Sequence, residues 1–118
     1  MFMILFVLHD PEKLDEVLTA WEDVGVGGVT IFPSTGLRRH KTKSALRDDL
    51  PLIPSMDDIM EHMLNLSRTL LTLVKDQQMV EAILAATQSV VGDLELPNTG
   101  IMTVLPVSQV YGLNRREE

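Results

Sequence analysis

Residues 2–8 read FMILFVL, and the interpretation of the whole chain starts from this apolar run. Seven residues are too few to cross a bilayer, and Asp10-Pro11 follows shortly after the run. No basic residue precedes it and no small-residue cleavage site follows, so it does not have the form of a secretion signal. We therefore predict a buried β-strand over Phe2–His9, in a cytoplasmic protein that does not insert into membranes.

A helix is predicted directly after this strand. Asp10 suits the N-cap and Pro11 suits the first helical position. Apolar residues then recur at helical spacing, and Gly25 is a suitable C-terminal stop. Those apolar residues are Leu14, Val17, Leu18, Trp21 and Val24.

A second strand is predicted over Val29–Phe32, and Pro33 is expected to end it. A polar and basic stretch follows from Ser34 to about Met56, and Met56–Met63 has the pattern of a short helix. So long a connection is unusual inside a compact domain. It indicates a loop that contacts a ligand or a partner.

The second half of the chain repeats the apolar pattern of the first half. The strand MILFVL at 3–8 falls on TLLTLV at 69–74, an offset of 66 residues, and Asp10 falls on Asp76 at the same offset. A second strand–helix pair is therefore expected in this half. The predicted elements are a strand over Thr69–Val74, a helix from Asp76 to about Val91 that stops at Gly92, and a strand over about Gly100–Val107.

The predicted order is strand, helix, strand, long loop, strand, helix, strand. Two such halves form the split βαβ, an α+β, ferredoxin-like βαββαβ sandwich, with both helices on one face of an antiparallel sheet. The first and third strands are then neighbours at the centre of the sheet. We predict a single domain of this kind over residues 1–118, with a long loop between strands two and three over about residues 37–66.

Both faces of the two central strands are apolar, but two helices can cover only one of them. The other face would leave five large apolar side chains in water, at a cost of roughly 1.5–3 kcal/mol each. That sum is comparable with the whole stability of a small domain. We expect other subunits to bury this face, and the alternative is that the long loop folds back over it. The five side chains are Met3, Leu5, Val7, Leu71 and Leu73.

The composition excludes several classes of function. The 118 residues include 17 acidic and 10 basic side chains, and the formal net charge is −7 at pH 7. This balance argues against a nucleic-acid partner, because such proteins present a basic face to the phosphates. The chain has no cysteine, and no motif assembles a nucleophile, a base and an oxyanion site, so we do not expect an enzyme.

One segment runs against the acidic balance. Residues 38–47 hold five of the ten basic side chains, and a glycine precedes them. The arginine fork suits phosphates and carboxylates, so we predict a small anionic effector here, with a second contact from the glycine turn after the second helix. The alternatives are a solvated basic loop and a simple helix C-cap. The candidate binding residues are Gly36, Arg38, Arg39, Lys41, Gly92 and Asp93.

Three stretches resemble the PII nitrogen-regulatory signalling proteins. They are PEKLDEV at 11–17, VGVGGVTI at 24–31 and GLRRHK at 36–41, and the likeness continues more loosely over 69–112. The resemblance implies a non-enzymatic regulator that forms a homotrimer with its sheets facing inward. It also implies a nucleotide held between neighbouring subunits and a long loop that docks on a target protein, such as a transporter or an enzyme.

The family's binding residues carry over in part. Gly36, Arg39 and Lys41 match the motif that opens the family's long loop. Gly92 and Asp93 match the turn that follows the family's second helix. The resemblance therefore implies that these residues lie at the effector site.

Other positions depart from the family. Arg38 replaces a glycine, and His40 replaces the glutamine that is linked to 2-oxoglutarate and magnesium binding. Glu95 stands where the family has its phosphate-binding lysine, and the arginine pair expected near 110–112 is not evident. No tyrosine lies in the loop for nucleotidylylation. We therefore expect the ordinary ATP and 2-oxoglutarate site to be degraded, with the identity of the effector open and an adenine nucleotide as one candidate.

The sequence thus predicts a PII-like regulator of signal transduction that binds a small anionic effector at subunit clefts and controls a target protein through its long loop. One alternative is a divalent-metal-responsive trimer like the CutA proteins, which share the sandwich. Asp58, Glu61 and His62 have helical spacing and could bind a cation, although they also suit a charged solvent face. The other alternative is a structural adaptor without an effector.

Overall fold

The computed structural model describes residues 1–37 and 66–113. These residues form a four-stranded antiparallel sheet with strand order β2-β3-β1-β4, so that β1 and β3 are central neighbours. The α+β, ferredoxin-like prediction is confirmed. The elements in chain order are β1 (Phe2–Leu8), α1 (Leu14–Asp23), β2 (Thr30–Ser34), β3 (Ser67–Val74), α2 (Gln77–Val91) and β4 (Gly100–Pro106).

Both predicted N-caps are present. The carboxylate of Asp76 accepts the N–H of Met79 at 2.9 Å at the start of α2. The carboxylate of Asp10 accepts the N–H of Glu12 at 3.0 Å, but the turn that it caps is a 3-10 turn over Pro11–Lys13. The α-helical part of the first helix therefore begins one turn later than predicted.

The prediction that Pro33 ends the second strand is wrong. β2 continues through Pro33 to Ser34, and these residues lie opposite Arg68 and Ser67 of β3. Proline is tolerated here because β2 is an edge strand, where a missing N–H need not remove a bond to a neighbouring strand. β3 is also longer than predicted: it begins at Ser67, two residues before Thr69, and Ser67 is paired with Ser34 of the extended β2.

The core lies between one face of the sheet and the two helices. Ile4, Phe6 and Leu8 of β1 are fully buried on this covered face. Trp21 of α1 packs on Phe6, with the ring centroids 6.2 Å apart. The indole N–H of Trp21 donates to Thr87 Oγ1 of α2 at 2.8 Å. The helices are therefore joined to each other as well as to the sheet.

The sequence repeat corresponds to a two-fold relationship between the halves of the fold. Leu5 lies directly opposite Leu71 in the β1–β3 pair, and these residues occupy the same position of the repeat. Trp21 and Thr87, which share a hydrogen bond, are also 66 residues apart. Equivalent residues meet only on the axis that relates the halves. The axis therefore passes through the centre of the β1–β3 pair and between the helices.

Neither helix covers the second face of the sheet, which we call the open face. The strand registers place Phe32 of β2 and Ile101 and Leu105 of β4 on it, and these side chains are 41%, 59% and 39% exposed. The centre of this face consists of half-buried apolar side chains from β1 and β3. They are Met3, Leu5, Val7, Leu71 and Leu73, the five that the sequence assigned to it.

Candidate functional site

The turn that follows α2 is the half of the predicted site that lies entirely within the described residues. We call residues 92–96 the Gly92 turn. Gly92 ends the helix with a φ of 92°, a conformation that favours glycine, and its N–H donates to the carbonyl of Gln88 at 3.0 Å. The side-chain Oε1 of Gln88 accepts the N–H of Leu94, also at 3.0 Å. One glutamine therefore satisfies two of the backbone donors of the turn.

Asp93 satisfies two more donors of the Gly92 turn. Its Oδ1 accepts the N–H of Glu95 at 2.9 Å, and its carbonyl accepts the N–H of Leu96 at 3.0 Å. A phosphate-binding loop offers free backbone N–H groups to the anion. Most donors of this turn are already bonded within the chain, and the carboxylates of Asp93 and Glu95 are exposed beside them. The Gly92 turn therefore does not fit the phosphate groups of the nucleotide that the PII resemblance implies.

Gln88 has a role in this turn that sequence reasoning did not identify. It lies in the last turn of α2, is half-buried, and bonds to residues that come up to six positions later. A glutamine near a helix end is common, and its amide can turn towards solvent or towards the backbone. The sequence contains no signal that distinguishes these two orientations.

Gly36 lies two residues beyond the end of β2 and is exposed. A Cβ atom added to it would meet nothing within 4 Å, so the backbone here is open to an approaching molecule. The next residue, Leu37, is 70% exposed. The other candidates of this half of the site, Arg38, Arg39 and Lys41, lie outside the described residues, as does most of the predicted loop over 37–66.

One chain places the two halves of the predicted site towards opposite edges of the sheet. Gly36 follows β2 at one edge, whereas the Gly92 turn leads into β4 at the other. Two strands separate β2 from β4, which at about 4.8 Å per spacing puts the edge strands roughly 14 Å apart. Both halves lie near the same end of the sheet, because Leu8 is paired with Arg68 on one side and with Gly100 on the other. A single subunit therefore does not bring Gly36 and Gly92 together around one small ligand.

A shallow cavity of about 360 Å³ lies elsewhere, between α1 and the connection to β2. Leu18 and Trp21 are among its apolar lining residues, and Asp15 and Glu22 contribute its carboxylates. None of the candidate binding residues lines it. Its two carboxylates make it a poor site for an anion, so it does not take the place of the predicted effector site.

The metal hypothesis is not tested by this structure. Asp58, Glu61 and His62, which motivated it, lie outside the described residues, as does the predicted helix over Met56–Met63. Within residues 1–37 and 66–113, no three His, Asp or Glu side chains are grouped as a metal ion would require. In the same two ranges, no helix has the length and apolar character needed to cross a membrane.

Comparison with known proteins gives a family for the chain. The family model described as nitrogen regulatory protein P-II matches residues 1–118, whereas no curated protein matches at a significant level. Proteins of this family are generally non-enzymatic regulators of signal transduction, and they are typically homotrimers that interact with protein targets. The sheet order and the two helices on one face agree with this match. The chain therefore belongs to the nitrogen regulatory protein P-II family.

Proposed function

We propose that this protein is a cytoplasmic PII-like regulator in nitrogen signalling, built as a single domain over residues 1–118. It assembles as a homotrimer, binds a small anionic effector at the clefts between subunits, and controls a target protein, a transporter or an enzyme, through residues 37–66. The observation that carries this proposal is the open face of the sheet, in a chain that belongs to a family of typical homotrimers.

Burial of the open face by sister subunits has a clear energetic reason. Ile101, Phe32 and Leu105 are 59%, 41% and 39% exposed, and they adjoin the half-buried centre of the face. Fully burying one such side chain stabilises by roughly 1.5–3 kcal/mol, so the whole face can offset the entropic cost of association. The formal charge of −7 per chain opposes assembly, but the centre of the face is uncharged and salt screens distant surface charges.

The clefts of such a ring provide a place for the effector. In a closed ring, one edge of each subunit faces the other edge of the next subunit. The β2 edge then brings Gly36, Arg38, Arg39 and Lys41 of one chain towards the β4 edge of its neighbour, where the Gly92 turn with Gly92 and Asp93 lies. The basic residues supply the positive field for an anion, and the Gly92 turn forms the opposite wall.

Regulation follows if the effector binds differently to two states of the protein. An effector held by Arg38 and Arg39 touches the first residues of the segment that contacts the target. Its binding can therefore change the affinity of residues 37–66 for the target, and by linkage the target changes the affinity for the effector by the same factor. A structural adaptor, the alternative, would bind its partner with the same affinity whether or not small anions are present.

Sedimentation tests the assembly on which the proposal depends. We expect the wild-type protein to sediment as a trimer at micromolar concentration and the Leu5→Glu variant to sediment as a monomer, because a charge at the centre of the open face cannot be buried unpaired. Ala85→Glu, on the exposed side of α2, is the matched control and should remain trimeric. A folded wild-type monomer at that concentration would contradict the proposal.

Calorimetry of the full chain against small carboxylates and inorganic phosphate tests the effector. We expect saturable binding of one of these anions, at least a tenfold loss of affinity in Arg39→Ala because a charge-assisted contact is worth about 1.5–3 kcal/mol, and little change in the control Lys75→Ala. Lys75 is exposed between β3 and α2, away from the proposed cleft. If none of these anions binds, the effector part of the proposal is wrong and the adaptor alternative gains support.

A further inference from the structure

The bonding of the Gly92 turn restricts which effector it can accept. Four of its five backbone N–H groups, those of residues 92, 94, 95 and 96, donate to Gln88 or Asp93 at 2.9–3.0 Å. An anion could reach the N–H groups of Leu94 and Glu95 only by displacing the side chains of Gln88 and Asp93. The N–H groups of Gly92 and Leu96 donate to backbone carbonyls, so the backbone itself would have to move to free them. Gly92 thus ends α2 and begins a turn whose backbone donors are bonded within the chain, which we call a closed turn.

The charges of the Gly92 turn also disfavour the binding of an anion there. Asp93 and Glu95 are both exposed, and the carboxylate of Asp93 already occupies the place that an anionic group would take at the N–H of Glu95. Thr99 Oγ1 donates to the carbonyl of Leu96 at 2.9 Å, so the hydroxyl donor that follows the turn is also engaged within the chain. A polyphosphate at the turn would therefore meet the carboxylates of Asp93 and Glu95.

We infer that the Gly92 turn does not hold the phosphates of a nucleoside di- or triphosphate, and that the effector is a small anion without a polyphosphate chain, because the donors of the turn already bond to Gln88 and Asp93. The existence of an effector rests on the proposed regulatory function, whereas the closure of the turn does not. The turn then acts as a rigid wall of the cleft, and the anionic group of the effector is bound elsewhere.

Amide resonances of the full-length protein test the closure of the turn. In Gln88→Ala we expect the amide proton of Leu94 to shift and to exchange severalfold faster, while that of Glu95 stays near its wild-type position. Asp93→Ala should have the reverse effect, and Asp93→Asn, which retains an acceptor, should restore the signal of Glu95. Glu95→Ala is the matched control, because it removes a carboxylate from the same turn but leaves the acceptors of the Leu94 and Glu95 N–H groups in place. If the Leu94 and Glu95 amides are indifferent to the loss of Gln88 and Asp93, the closed turn is wrong.

Calorimetry with ATP and ADP, each with and without Mg²⁺, tests the effector class. We expect no saturable binding by the wild-type protein, and saturable binding of either nucleotide would overturn the inference. The outcome is independent of the test of the proposed function. If neither nucleotides nor small anions bind while the amide signatures are as expected, the closed turn stands and the effector part of the proposed function fails.

Discussion

The two faces of the sheet are built from the same strands but differ in what covers them. In β1, Phe6 is fully buried on the covered face, whereas its neighbours Leu5 and Val7 on the open face are half-buried. Both faces are about equally apolar, so hydrophobicity alone does not decide which one the helices cover. The apolar stripes of α1 and α2 can bury only one face. The other face is the one that we propose sister subunits cover.

The polar groups of the two faces are also arranged differently. On the covered side, the hydrogen bond between Trp21 and Thr87 lies deep between the helices. On the open face, the Thr69 hydroxyl donates to Ser34 Oγ at 2.7 Å, near the β2 edge of the sheet. An apolar centre with polar groups towards the edge is the pattern of a protein interface.

The largest expected change in the free energy of unfolding is at Phe6 on the covered face, and it is compared with the change at the adjacent Leu5 on the open face. Phe6→Ala should lower the free energy of unfolding by about 3–5 kcal/mol, because it leaves a cavity in a fully buried core. Leu5→Ala should lower it less in the separated subunit and should mainly weaken the assembly. Urea denaturation combined with sedimentation measures both effects. Equal losses of stability at the two positions in the separated subunit would remove the distinction between the faces.

A smaller effect is expected where β4 adjoins the covered face. A Cβ atom at Gly100 would lie 2.6 Å from the carbonyl oxygen of Val7 and 2.7 Å from the ring of Phe6, and its φ of 154° also disfavours other residues. Gly100→Ala should therefore cost about 3 kcal/mol. Gly27→Ala is the control, because a Cβ there meets nothing within 4 Å and no unusual φ is present. Thermal denaturation of the two variants should show a large shift only for Gly100→Ala.

The smallest of the three effects concerns the link between the helices. Thr87→Val keeps the shape of the side chain but leaves the buried indole N–H of Trp21 without its acceptor, at a cost of about 2 kcal/mol. Thr87→Ser keeps the hydroxyl and should cost less. Trp21 is the only tryptophan in the chain, so its fluorescence during urea unfolding reports on this site directly. Wild-type stability in Thr87→Val would show that the bond contributes nothing to the covered face.

Much of the fold could be predicted because local signals agreed with the global pattern. Asp10 and Asp76 marked both helix starts, and the repeat identified β3 where periodicity alone was ambiguous. The extension of β2 through Pro33 was missed because it depends on β2 being an edge strand, which is a property of the assembled sheet. Strand boundaries are therefore decided partly by neighbours that are distant in the sequence.

The candidate site was less predictable. Gly92 was recognised from the sequence, but the acceptors that close its turn were not, because they depend on the side-chain orientations of Gln88 and Asp93. The placement of Gly36 and Gly92 towards opposite edges follows from the strand order and from no local motif. The assignments of Arg38, Arg39 and Lys41 stay predictions.

The axis between the two halves brings together residues that are equivalent in the repeat, and it does so in two different packing environments. A residue on the axis meets its own counterpart, and in the β1–β3 pair two identical residues, Leu5 and Leu71, lie side by side. At the helix pair an indole meets a short hydroxyl side chain, Trp21 with Thr87. The strand pair on the axis therefore accepts identical residues, whereas the closely packed helix pair combines a large side chain with a small one.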